Sequence, residues 1–288
     1  MLILEAYYGR LGNKMYQLMN ILNEAIKKKQ PVKLNNINYL TPITEIINIE
    51  YIENIFNKLY KDDYKNIKSN FFPKDLHLVN KRTVDISKYF LIAKTYIIPS
   101  LKIKPIPFHK RICCIHIRGG DIFKQSPHPS YVQPPLNYYI KIINDFNDKF
   151  DEFYLITKPM IENNFNQNYN SRFIGAINNP CIEKLLKYSN KVKLIKGNLY
   201  EHYFAMLQTT SIVLSRSSFS DTTVFINPNL ENIFFWNWNH CLSDKTIIPK
   251  NINVYSYKLT KPYINEWKCS NEQLKLMIDY NINDIKLE

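Results

Sequence analysis

The chain has 288 residues, 45% hydrophobic and 14% aromatic, which is enough apolar material for a large core and too much for a disordered chain. Its formal net charge of +13 comes from lysines spread along the whole length beside abundant Asn and Ile, a pattern that fits a solvated surface better than a nucleic-acid patch. No run approaches the roughly 18 consecutive apolar residues of a membrane span, and residues 1–8 lack the basic region and cleavage site of a signal peptide, so a cytoplasmic chain without a transmembrane anchor is expected.

Residues 2–6 predict a strand. Tyr8-Gly9-Arg10-Leu11-Gly12-Asn13 follows, and Leu18, Ile21, Leu22, Ala25 and Ile26 then recur at helical spacing up to Lys27-Lys28-Lys29, a run that suits a helix C-terminus. In such a strand, glycine turn and helix, Gly9 and Gly12 permit close backbone approach, and the first amides of the helix favour an anion or an oxygen-rich ligand. The same residues also fit an ordinary turn between strand and helix, and Asn13 fits either a ligand-orienting role or a helix cap.

From residue 31 onward the pattern predicts a strand at 32–34, a helical stretch at 43–60, a polar segment through Asn70, and a helix or strand over 87–97. Pro99, Pro105 and Pro107 then interrupt regular structure. We therefore expect an N-terminal domain over 1–108, a second domain over 109–245, and an extension over 246–288 whose helix at 270–280 returns toward the first domain.

The second domain opens on Arg111-Ile112-Cys113-Cys114-Ile115-His116-Ile117-Arg118-Gly119-Gly120-Asp121. The apolar run reads as a buried parallel strand, and the two glycines let the chain turn. An Arg one step beyond such a strand faces the ligand crevice of an open α/β sheet and is placed to meet a diphosphate. A surface Arg118–Asp121 ion pair is the competing reading. Further strands are predicted at 153–157, 192–195, 211–214 and 232–235, with helices at 136–146 and 199–207, and this alternation predicts a parallel, doubly wound sheet. Trp236-Asn237-Trp238, after the last of these strands, fits core packing or an aromatic stack on a base or sugar. The five cysteines, Cys113, Cys114, Cys181, Cys241 and Cys269, lack metal spacing and fit a reduced state. No acidic or His cluster predicts a metal site.

Three of these stretches together resemble the GDP-fucose-dependent fucosyltransferases. Gly9-Arg10-Leu11-Gly12-Asn13 is similar to the family's N-terminal glycine motif, and His116-Ile117-Arg118-Gly119-Gly120-Asp121 to its His-x-Arg-Arg-Gly-Asp block. Ser215-Arg216-Ser217-Ser218-Phe219-Ser220 is similar to the Ser-Ser-Phe-Ser region of the α1,2 enzymes. The resemblance implies a GT-B fold of two Rossmann-like domains facing a cleft, and inverting, metal-independent transfer of fucose from GDP-fucose to a glycan or glycoprotein acceptor. It implies no separate cofactor. Arg118, Asn13 and Asp121 would act in catalysis, while Gly9, Arg10, Gly12, His116, Gly120, Ser217, Ser218 and Phe219 would hold the sugar nucleotide. Arg118 would meet the β-phosphate, with Ser217 and Ser218 bonding phosphate at a helix N-terminus. Glu5 and Asp121 are candidate bases. The chain departs from its relatives at Gly119, where many have a second Arg, at Asp221-Thr222-Thr223, which replaces a tryptophan pair, and at Lys158, where α1,6 enzymes carry an Asp that contacts guanine. A nucleotide- or RNA-binding protein that stacks bases on its Tyr and Phe residues is the reading from another class.

Overall fold

A computed structural model describes residues 2–4, 10–34, 43–60, 69–71, 87–157, 178–237, 242, 246 and 248–288. Glu5, Gly9, Lys158, Trp238 and Cys241 lie outside these residues, as do the readings attached to them. The chain divides into two units, the first made of Met1–Ile106, Ser218–Pro228 and Asp244–Lys250, the second of Pro107–Ser217, Asn229–Ser243 and Asn251–Glu288. Of the span 109–245, expected to be one domain, the short piece Ser218–Pro228 clusters with the first hundred residues.

In the first unit β1 (Leu2–Leu4) lies between β2 (Val32–Leu34) and β3 (Ser69–Phe71), parallel to both. Between β1 and β2 runs α1 (Leu11–Lys28), which begins well before the apolar spacing becomes legible at Leu18. The reason is burial on more than one face: Lys14, Gln17, Asn20 and Asn23 are buried along with Met15, Leu18, Ile21 and Leu22, so polar residues interrupt the expected stripe. Tyr89 satisfies one of them by donating to Asn20 Oδ1. Lys29 ends the helix in the left-handed region (φ 50°), and the Gln30 N–H returns to the Ala25 carbonyl at 3.0 Å. The stretch at 43–60 resolves into α2 (Ile43–Ile46) and α3 (Ile49–Leu59), separated where Asn48 caps α3 by accepting from the Tyr51 N–H at 3.1 Å. Residues 87–97, open between helix and strand, are helical: α4 (Ser87–Ile92) continues into a π-helical turn at Ala93–Ile97.

The second unit grows from β4 (Ile112–Ile117), whose six residues are all buried. A strand covered on both faces belongs in the middle of a parallel sheet. Cys113, Ile115 and Ile117 join the core cluster shared with α5 (Leu136–Asp145), β5 (Glu152–Thr157) and α6 (Cys181–Tyr188). Cys114 alternates to the other face, where its Sγ lies 3.8 Å from the Ala205 carbonyl of α7 (Leu199–Gln208). Helices therefore cover both faces. Between α6 and α7 runs β6 (Val192–Leu194), and after α7 comes β7 (Ser211–Val213). At the amino ends of β4 and β7 the buried Thr209 hydroxyl donates to the Ile112 carbonyl at 2.6 Å.

After β7 the chain supplies α8 (Ser218–Ile226) to the first unit and returns as β8 (Asn232–Trp236). Trp236 is buried and meets Tyr263 edge-on at 5.7 Å, so it is core. The C-terminal stretch adds β9 (Asn253–Leu259), α9 (Asn271–Asp279) and β10 (Ile285–Leu287) to the second unit, where α9 packs on α5. Apolar residues Met277, Tyr280 and Ile285 hold it there by joining the core cluster under α5. The sheet has seven strands in the order β10-β9-β8-β7-β4-β5-β6, with β10 antiparallel to β9 and the other neighbours parallel. This is an α/β sheet compatible with a Rossmann-like fold. Among the described residues no helix is long and apolar enough to cross a membrane.

Cys113, Cys114, Cys181 and Cys269 are free thiols. Burial pushes the Cys114 and Cys181 thiols up to about 12 and holds Cys113 well above the ordinary range. Raising a thiol pKa lowers the thiolate fraction at any pH below it, and only the thiolate is reactive. Of these four thiols, peptide-resolved alkylation of the native protein at pH 8 is expected to label half-buried Cys269 first and to leave Cys113, Cys114 and Cys181 unlabelled until unfolding. Early labelling of Cys113 or Cys114 would show that the centre of the sheet opens locally.

Candidate functional site

β4 leads onward to β5 and β6 on one side of the sheet, whereas its other neighbour β7 leads to β8 and β9 on the opposite side. At such a reversal of strand order the loops leaving the two carboxyl ends diverge, and open α/β sheets bind ligands in the resulting crevice. The sequence puts polar groups at both ends: His116-Ile117-Arg118 on β4 and Ser215-Arg216-Ser217 after β7.

The two ends are joined side chain to side chain. His116 Nδ1 lies 2.7 Å from Ser215 Oγ, with both residues buried. Beyond this bridge Arg118 Nη1 donates to the Arg216 carbonyl at 2.9 Å. The Arg118 guanidinium carbon stands 3.8 Å from the centroid of the Tyr131 ring. Its Nη2 is 3.9 Å from Asp121 Oδ1, an ion pair too long to be a hydrogen bond. The main chain is fixed as well, because Asn179 Nδ2 donates to the Arg118 carbonyl at 3.0 Å while Asn179 Oδ1 accepts from the Cys181 N–H at 2.9 Å. Arg118 is thus a half-buried cation held in one orientation at the switch point.

Gly120 makes the exit from β4 possible. Its φ of 75° lies in a region costly to residues with a Cβ, and the Phe123 N–H returns to its carbonyl at 3.0 Å, closing a short turn at Asp121–Phe123. Trp267 secures that turn by donating from Nε1 to the Ile122 carbonyl at 2.6 Å.

The structure gathers His116, Arg118, Gly120, Asp121 and Ser217 in the second unit and Gly12, Asn13, Ser218 and Phe219 in the first. Ser217 donates its N–H to the Ser215 carbonyl at 2.8 Å. Ser218 begins α8, as a serine at a helix N-terminus should, and its hydroxyl donates to Asn13 Oδ1 at 2.8 Å. Asn13 is therefore inside α1 and is not its cap. The cap position belongs to the exposed Arg10, which is extended and makes no side-chain capping bond. Gly12 is small for a packing reason: a Cβ there would overlap the carbonyl group of Ser218. Phe219 is half-buried on α8.

Protein-family models, curated proteins and solved structures were compared with the chain, and none matches. Among the described residues no group of three or more His, Cys, Asp or Glu is placed to hold a metal ion. Sequence reasoning missed Tyr131, Asn179 and Trp267. Tyr131 and Asn179 sit in segments with no periodicity, and Trp267 is far from Arg118 in sequence. Ser215 was within reach, since it directly follows a predicted strand, but strand order was needed to pair it with His116.

Proposed function

We propose that the chain is a glycosyltransferase whose second unit binds a nucleoside-diphosphate sugar by its diphosphate. GDP-fucose is the donor that the motif resemblance favours, and a glycan or glycoprotein the acceptor. The observation that carries this reading is Arg118, an oriented guanidinium just past the buried β4 at the strand-order reversal. The finer assignment, a GT-B enzyme whose first unit bears acceptor-side residues such as Asn13, rests on the motifs.

In this reading the bond between sugar C1 and the diphosphate oxygen breaks, and its electron pair leaves on the diphosphate. The acceptor hydroxyl oxygen bonds to C1 from the opposite face and releases its proton to a base. Negative charge grows on the leaving diphosphate, so a preorganised guanidinium stabilises the transition state more than the bound substrate. Gly120 lets the chain fold away from the Arg, and the His116–Ser215 bridge keeps the ends of β4 and β7 together. Asp121, a candidate base, also orients Arg118 through their ion pair.

The test is thermal shift against GDP-fucose, GDP-mannose, GDP and UDP-sugars. A ligand selective for the native state, at about a hundred times its Kd, adds about 2.7 kcal/mol, and GDP and GDP-fucose are expected to raise the melting temperature by several degrees. A response to UDP-sugars alone would remove fucose and keep glycosyl transfer. Silence toward every nucleotide, including GDP at millimolar concentration, would sink the whole reading.

A further inference from the structure

A guanidinium carries its five N–H donors in one plane, so fixing that plane fixes the direction of every hydrogen bond the group offers. On Arg118 the plane is set by the Arg216 carbonyl at one Nη and by the Tyr131 ring, whose centroid lies 3.8 Å from Cζ. That distance is well inside the roughly 6 Å reach of a cation–π contact. Tyr131 is delivered by a loop that bonds to itself: the Tyr131 N–H donates to the His128 carbonyl at 3.0 Å, and His128 Nδ1 accepts from the Ser130 N–H at 3.2 Å.

A residue from the C-terminal part of the chain grips this loop. The Trp267 N–H donates to the Pro129 carbonyl at 2.8 Å, while its Nε1 donates to the Ile122 carbonyl at 2.6 Å. Trp267 is buried and meets Phe123 edge-on at 5.7 Å. One side chain with its own amide therefore clamps both excursions that flank Arg118, the Asp121–Phe123 turn carrying its carboxylate partner and the loop carrying its ring. Any buried Trp needs partners for these two N–H groups, and Trp267 finds them on the two segments that flank the Arg118 site.

We propose that Tyr131 is a positioning residue for Arg118 and that Trp267 is the clamp that keeps Tyr131 in place. The consequence for diphosphate binding rests on the function proposed above. The experiment separates the two. In the ligand-free full chain, the Arg118 Nε–H resonance, assigned by its loss in Arg118→Lys, reads the ring directly through its ring-current shift. Isothermal titration with pyrophosphate and with GDP then reads binding.

Tyr131→Phe keeps the ring and is expected to keep both the shift and the affinity within about twofold. Tyr131→Leu removes the ring and is expected to abolish the shift and to weaken pyrophosphate about fivefold to thirtyfold, the range of a partly desolvated cation–π contact. Trp267→Phe keeps an aromatic ring in the core but loses the Nε1 donor, and it is expected to diminish the shift and weaken pyrophosphate by about the same factor as Tyr131→Leu. An unchanged shift in Tyr131→Leu overturns the positioning role. A lost shift with unchanged pyrophosphate affinity overturns its part in binding. Wild-type protein that binds neither pyrophosphate nor GDP, yet shows the shift, fails the functional reading and leaves the positioning of Arg118 by Tyr131 standing.

Discussion

Arg118→Lys is expected to fold like the wild type and to lose donor turnover by about 10²- to 10³-fold, the equivalent of roughly 3 to 4 kcal/mol for removing a donor aimed at developing charge. Lysine keeps the positive charge but presents a compact ammonium with no plane. It can neither donate to the Arg216 carbonyl while stacking on Tyr131 nor meet two diphosphate oxygens with parallel bonds, so the loss falls on geometry and not on charge. GDP affinity should fall with turnover. Ser218→Ala should do much less, because its hydroxyl is spent on Asn13 and one neutral hydrogen bond is worth about 0.5 to 1.5 kcal/mol. Turnover and GDP titration for both variants, with circular dichroism for the fold, decide the matter. Near wild-type turnover in Arg118→Lys would return Arg118 to the role of an ordinary ion-pair partner of Asp121.

The strands of the second unit were readable because a parallel strand covered on both faces must be apolar along its whole length. The runs at 112–117, 153–157 and 232–235 stand out for that reason, and the observed strands agree with them to within a residue at either end. β9 escaped notice because Asn253–Leu259 is only partly buried beside the antiparallel edge and so carries Asn, Tyr, Ser and Lys. α8 is absent from the periodicity for a different cause, and only the motif resemblance implied a helix starting near Ser218. Ser218–Ile226 is rich in Ser and Thr, poor helix formers, and becomes a helix where its residues are buried in contact with α1. Of the site, Arg118, Gly120 and His116 were legible because they lie in sequence at the end of a recognisable strand. Tyr131, Asn179 and Trp267 act on Arg118 or its turn through contacts that join separate loops, and no local pattern encodes such a meeting. Gly12 was read as permitting close backbone approach, and the neighbour its missing side chain admits is the backbone of α8.

That neighbour makes Gly12→Ala the second large effect. Alanine in place of glycine inside a helix ordinarily gains about 1 kcal/mol from reduced backbone freedom. Here the added methyl would overlap the carbonyl carbon and oxygen of Ser218 and the amide nitrogen of Phe219. These are backbone atoms at the start of a helix, unable to swing aside as the tip of a long side chain can, so the cost lies at the upper end of the usual 1 to 3 kcal/mol of overpacking, about 3 kcal/mol. Overlap outweighs propensity by about 2 kcal/mol, which lowers the melting temperature by about 4 to 8 °C in a unit of this size. The edge-on contacts of Phe225 on α8 with Tyr16 and Tyr89 should loosen with it, since all three belong to the same packed seam. Ser218→Ala, which deletes the neighbouring hydrogen bond without adding volume, should melt between the wild type and Gly12→Ala. If Gly12→Ala instead melts at or above the wild-type temperature, helix propensity has won, and α1 and α8 do not approach as closely as their backbones do in this structure.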